Sequence, residues 1–329
     1  MIRWFAETAP PSSAVSAVRL LNPLTSWLLA KQAPRRATDR SKGAAPRAHT
    51  AAAPITVSGR WLAGAFAISM AVAALCAYGT LCLLFYQGQW QMVLHPSRNV
   101  AATPAAQGVK FDDVRFDYTE TGVAKLDGWW IPAEPASRWS ASTVLYLHSG
   151  DGSLSNCVDD LVTLHSLGIN VFAFDYRGFG RSAGTRPGEP RMREDAEAAW
   201  HYLTDTRHVD GKSIVVYGAG VGASLAADLG AQHHPAGVVM DGPSEAARQI
   251  VGRDARAKIL PLWLLLQERF DPTDELRDST LSKLFLDRDG AKARTEQLYR
   301  AAALPKEYFE LRPGEYEPTL RRFFDEILQ

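Results

Sequence analysis

Residues 218–222 read Gly-Ala-Gly-Val-Gly, between a β-branched run (Ser213-Ile-Val-Val-Tyr217) and an alanine-rich run (Ala223-Ser-Leu-Ala-Ala-Asp-Leu229). A buried strand, a turn with glycine at alternate positions and a helix make the layout of a nucleophile elbow. In that layout a serine at the middle position attacks a carbonyl and a histidine takes its proton. Gly218 and Gly222 suit a turn too sharp for side chains, and the middle residue must take a conformation that only glycine adopts without cost. Here Gly220 holds the middle position, so the turn is kept and the hydroxyl is gone.

An elbow of this kind needs a sheet beneath it. Short apolar runs at 143–147, 170–174, 213–217, 237–241, 283–286 and 307–311 read as strands, the continuous ones suited to a parallel sheet covered on both faces. Helical patterns lie between them near 158–166, 194–204, 223–230 and 293–303, and a closing helix is expected at 319–328. The alternation predicts a doubly wound α/β domain with right-handed crossovers over residues 88–329.

Several ordered motifs carry a resemblance. Leu145-Tyr-Leu-His148-Ser149-Gly150-Asp151-Gly152 is followed by Asp175-Tyr-Arg-Gly-Phe-Gly-Arg-Ser182, with Leu94-His-Pro-Ser-Arg98 and Gly128-Trp-Trp-Ile-Pro132 upstream. Together they resemble the α/β-hydrolase superfamily, in its branch of membrane-anchored serine hydrolases that includes bud-emergence-type and lysophospholipase-like proteins. The resemblance covers roughly residues 86–329. It implies an α/β-hydrolase fold, an elbow at Gly218, Gly220 and Gly222, and an oxyanion loop and pocket at His148, Ser149, Gly150 and Val221. It also implies an acid after the strand ending at Leu286, where Asp287 or Asp289 would be its remnant. The base would follow the last strand in Pro313-Gly-Glu-Tyr-Glu317, placing Glu317 where a histidine is expected. All eight histidines precede residue 235, so none can fill that place. The expectation is a degenerate triad with no intact catalytic residue.

Other residues of the chain make poor substitutes on chemical grounds. Ser224 lies one turn into the helix and should face the core or the sheet. Ser149 and Ser153 lie in the oxyanion loop, but a solvated carboxylate such as Glu317 is a poor base for a serine hydroxyl. Cys157 reads as a small buried hydrophobe and His148 as a structural anchor. His233-His234 lack metal-ligand spacing, so neither a metal nor a cofactor is expected.

The chain has 329 residues, is 46% hydrophobic and 22% charged, and carries no net charge, which argues against a nucleic-acid partner. Residues 1–60 hold nine Arg or Lys against Glu7 and Asp39, and read as a basic, mostly disordered tail. Residues 14–30 could form a short helix on a membrane surface. From Trp61 to Gln87 there is no charged residue, long enough for one transmembrane helix with Trp61, Tyr86 and Trp90 at the interfaces. Basic residues ahead of the span place the tail in the cytoplasm and residues 88–329 outside it, in the periplasm if the host is a bacterium. Cys76 and Cys82 fall in the span and Cys157 alone in the domain, so no disulfide framework is expected there.

Three functions compete. The first is a membrane-tethered pseudohydrolase that binds a lipid, an acyl ligand or a protein, with Gly220 widening the pocket floor. The second is a rewired hydrolase of an ester, thioester or lipid, using carboxylates that converge near Gly220. The third is a structural partner of another membrane protein. Residues 245–281 stand where relatives carry a lid. Within them the apolar run 259–266 reads first as a core helix, and second as a cover for a pocket or a contact with the bilayer.

Overall fold

The computed structural model describes residues 56–117, 125–287 and 291–328. The expected surface helix at 14–30 and nearly all of the basic tail lie outside them. The first helix, α1 (Gly59–Gly88), is 30 residues long, with none buried. It is long and apolar enough to cross a membrane.

Eight strands form one sheet: β1 (Asp112–Phe116), β2 (Leu126–Ile131), β3 (Trp139–Leu147), β4 (Ile169–Asp175), β5 (Ile214–Ala219), β6 (Gly237–Asp241), β7 (Lys283–Asp287) and β8 (Lys306–Glu310). Their spatial order is β8-β7-β6-β5-β3-β4-β2-β1, parallel throughout except for β2, which runs antiparallel to both β4 and β1. This is the α/β-hydrolase fold expected. The register puts Val144 beside Val171 on one side and Val215 on the other, so branched side chains stack across the central strands.

Helices cover both faces, as a parallel sheet requires. The crossovers α2 (Val158–Ser166), α3 (Glu189–His201) and α4 (Gly222–His233) follow β3, β4 and β5. Then come three short helices, α5 (Ala247–Gly252), α6 (Leu262–Leu265) and α7 (Thr273–Asp278), followed by α8 (Lys292–Ala301) and α9 (Tyr316–Ile327). Alternation along the strands sorts the core. Leu145, Phe172 and Val216 pack with α3, α4 and α8, whereas Tyr146, Val171 and Tyr217 pack with α2 and α9.

Two expectations fail. Strands β1 and β2 lie outside the runs read as strands, because Asp112, Asp113 and Arg115 interrupt the edge strand and Asp127 and Gly128 interrupt β2. Segment 259–266 is not a core helix. It holds the single turn α6, and Ile259, Trp263 and Leu264 are exposed. Leu260 is buried, while Leu262, Leu265 and Leu266 are half-buried, so the inward residues alone serve the core.

Candidate functional site

The elbow lies at the C-terminal end of β5, a central strand, where open α/β sheets place their ligands. Gly220 has φ +57°, a left-handed conformation that is strained for any residue with a side chain. Its N–H donates to Asp241 O (3.0 Å), and its own carbonyl accepts from Ser244 N (3.1 Å), so the end of β6 clamps the turn. A Cβ on Gly218 would strike the backbone of Gly222 and Ala223, and one on Gly222 would strike the carbonyl oxygens of Leu147 and His148. Both outer glycines are therefore required by contact.

The middle position is crowded too. A Cβ on Gly220 would stand 2.9 Å from Ser149 Cβ and 3.3 Å from Ser244 Oγ. The expectation that Gly220 widens the pocket floor is corrected by these distances. Ser149, in the loop after β3, packs against the middle position of the turn. Sequence reasoning also missed Ser244, whose only signal was its place after the turn Gly242-Pro243 that ends β6.

The loop after β3 is fixed from below by His148. This imidazole is fully buried, lies 4.4 Å (centroid to centroid) from the Tyr176 ring, and has Nδ1 2.7 Å from Ser149 O. Nδ1 therefore carries the proton and donates to that carbonyl. Burial pulls the imidazole down to about 4, partly opposed by the Ser149 bond, so it is neutral at physiological pH. Its Nε2 lies 3.8 Å from Asp175 Oδ1. Burial pushes the Asp175 carboxyl up to about 7, against the bond it accepts from Leu154 N at 2.9 Å. With the imidazole neutral and the carboxyl often protonated, the pair behaves as two neutral groups and not as an ion pair. Gly150 packs closely enough on Leu94 and Val221 that a Cβ there would lie 2.7 Å from Leu94 Cδ2. The amides an elbow turns toward an oxyanion are those of Ser149 and Val221. Among the described residues neither donates a backbone hydrogen bond to a carbonyl.

The remaining candidates are held elsewhere. Asp287 is buried at the end of β7, where Tyr308 Oη donates to it at 2.8 Å. Glu317, in the first turn of α9, is half exposed and paired with Arg321 at 2.9 Å. Among the described residues no hydrogen bond or ion pair joins Asp287 and Glu317, and Asp289 lies outside the described residues. Ser153 is fully buried and donates to Asn99 O at 2.8 Å. Ser224 is buried in α4 with its Oγ unpartnered among the described residues, and Cys157 is buried in the core beside α2. His233 stacks on Trp200 and bonds Glu197 at 2.8 Å, and His234 caps α4 in the left-handed region. Among the described residues no cluster of three potential metal ligands forms.

Residues 140–300 match the family described as serine aminopeptidase, S33. An uncharacterized protein of Mycobacterium tuberculosis is 30% identical over 244 residues, spanning 73% of this chain and 84% of its own length. The alpha/beta hydrolase domain-containing protein 17C of Xenopus tropicalis is 30% identical over 139 residues, 42% of this chain and 43% of its own. Among solved structures, the Pyrococcus furiosus esterase Pf2001 superposes with a TM-score of 0.54 at 23% identity, covering 72% of this chain and 99% of its own, which speaks to the fold alone.

Proposed function

This chain belongs to the α/β-hydrolase superfamily, and we propose that within it the protein is a membrane-anchored pseudohydrolase, one that binds a lipid or acyl ligand, or a membrane-protein partner, without cleaving it. The observation that carries this reading is the pairing of Gly220 with Ser149. The middle position of the turn carries no hydroxyl, a Cβ there would press on Ser149, and no side chain among the described residues bonds the Ser149 hydroxyl. Removing a serine or histidine from such a triad lowers turnover on the order of a millionfold. Here no histidine follows β8.

Helix α1 supplies the anchor in this reading, with the basic tail on the cytoplasmic side and the α/β domain across the membrane. A cavity of about 350 Å³ under residues 245–271 supports a ligand-binding role, since Leu262, Trp263 and Leu266 line it together with Arg248, Arg269, Glu268 and Asp271. The apolar wall suits an acyl chain, and two arginines balanced by two carboxylates suit a polar head without selecting its charge.

One observation favours a second reading. Ser149 Cβ lies so near the position of the lost side chain that its hydroxyl stands in for the nucleophile, giving a hydrolase with a relocated serine. Against it, no side chain among the described residues hydrogen-bonds the Ser149 hydroxyl, so nothing there takes its proton.

The full chain in nanodiscs, offered short and medium acyl esters and a serine-reactive phosphonate, separates the readings. Silence in both assays is the expected result. Turnover that Ser149→Ala abolishes would establish the relocated serine. Turnover that survives Ser149→Ala but not Glu317→Gln would establish a carboxylate mechanism.

A further inference from the structure

The exposed apolar surface of the domain is concentrated in one place. Among the described residues after α1, four large apolar side chains are exposed, and three of them, Ile259, Trp263 and Leu264, fall within six positions. Trp263 is 82% exposed. The fold does not need these residues, because Leu260, Leu262, Leu265 and Leu266 already turn toward the protein from the same segment. A soluble face would carry polar residues at the outward positions.

The segment is tied along the last turns of α1. Tyr78 Oη donates to Ile259 O at 2.9 Å, and Gln89 Nε2 donates to Leu265 O at 2.8 Å. Gln89 Oε1 accepts from Gln267 N at 2.8 Å, and Gln267 Nε2 donates to Tyr86 Oη at 2.7 Å. From Tyr78 to Tyr86, the last apolar residue of α1, the helix rises about 12 Å. Ile259 is thus held beside a part of α1 that lies inside the apolar run, near the depth of about 5–10 Å at which interfacial helices rest. Its carbonyl is satisfied there by Tyr78, as backbone at that depth demands.

From these contacts we propose that segment 259–264 is a second membrane contact, an interfacial turn that inserts into the same bilayer α1 crosses. The inference rests on the reading of α1 as a span and goes beyond it by naming the surface that meets the lipid. The exposed Lys258, Arg248 and Arg269 flank the turn, and among the described residues none of the three has an ion pair. Cations at the edge of an apolar turn extend toward phosphate headgroups while their stems stay in the apolar layer. Trp263 has the amphipathic ring that favours the headgroup level. Trp263, Arg248 and Arg269 also line the cavity, so an inserted turn opens that cavity toward the lipid and lets an amphiphile enter without crossing water.

The test uses the full chain with Cys76, Cys82 and Cys157 replaced by Ala, labelled at one new cysteine with an environment-sensitive fluorophore, in nanodiscs containing spin-labelled lipid. Leu264→Cys probes the turn and Leu75→Cys probes the span. Arg138→Cys, immediately ahead of the first residue of β3, is the aqueous control. Lipid quenching at 264 and 75 with none at 138 is the expected result. Quenching at 75 alone would overturn the proposal while leaving the anchor standing. Absence of quenching at 75, with or without quenching at 264, would overturn the span and the proposal together.

Discussion

Ser149 Cβ stands 2.9 Å from the point a Cβ on Gly220 would occupy, so the loop after β3 and the elbow after β5 share one side-chain volume. The two positions are coupled, and substitutions there should be non-additive. Gly220→Ser alone should be destabilising by about 1–3 kcal/mol from its left-handed backbone, with the collision added. Ser149→Gly in the same chain should relieve the collision and leave the backbone cost. Thermal unfolding of both single variants and the double variant measures this coupling. Equal destabilisation with and without Ser149→Gly would show that the loop yields freely.

That steric swap also bears on chemistry. Gly220→Ser with Glu317→His should not label with a phosphonate, because Ser149 crowds the new hydroxyl. Adding Ser149→Gly should produce the first detectable labelling. Robust labelling in the double variant, before the loop is changed, would mean the elbow is only one hydroxyl short of an active site.

The buried pair beneath the loop makes a prediction about pH. His148 falls from 6.5 to about 4 on folding. Its contribution is therefore present above the unfolded value and is lost as pH drops from about 6.5 toward 4. Asp175 rises from 3.8 to about 7, so its contribution is present below the unfolded value and is lost as pH climbs toward 7. Between about pH 4 and 6.5 the folded pair holds one proton on the carboxyl and the unfolded pair holds one on the imidazole. The two slopes cancel and stability should be nearly flat there. His148→Gln should expose a fall in stability as pH rises, and Asp175→Asn a gain, each near 1.4 kcal/mol per pH unit. Unfolding profiles at several pH values decide it, and parallel slopes in the three proteins would break the pairing.

How much of this could be read from the chain depends on where the information sits. The central strands were legible because Val144, Val171 and Val215 belong to unbroken apolar runs, and the elbow because Gly218 and Gly222 must lack side chains to pass Ala223 and Leu147. Strand β2 was not, since Asp127 and Gly128 break up the short run that Trp129, Trp130 and Ile131 complete. The filling of the Gly220 site by Ser149 was beyond reach, because it is a distance between two loops far apart in sequence. The run 259–266 misled for a different reason. Apolarity alone does not distinguish a turn facing a core from one facing outward, and only its bonds to α1 show which side it presents.

Those bonds meet at Gln89, which is buried and serves both Leu265 and Gln267. Gln89→Ala leaves one carbonyl and one amide of the cap without a partner, and unsatisfied buried groups cost about 1–3 kcal/mol each. The sheet and elbow contribute nothing to these bonds, so the loss should fall on local opening of the cap more than on global unfolding. Arg253, Arg256, Lys258 and Arg269 supply tryptic sites along that segment. Limited trypsin digestion in nanodiscs should cut Gln89→Ala within 253–269 several times faster than the parent chain, with the thermal midpoint shifted little. Gln89→Glu should cleave like Gln89→Ala, because a carboxylate can accept from Gln267 but cannot donate to Leu265. Unchanged cleavage in both variants would mean that packing of Leu260 and Leu262, and not the Gln89 bonds, holds the cap against α1.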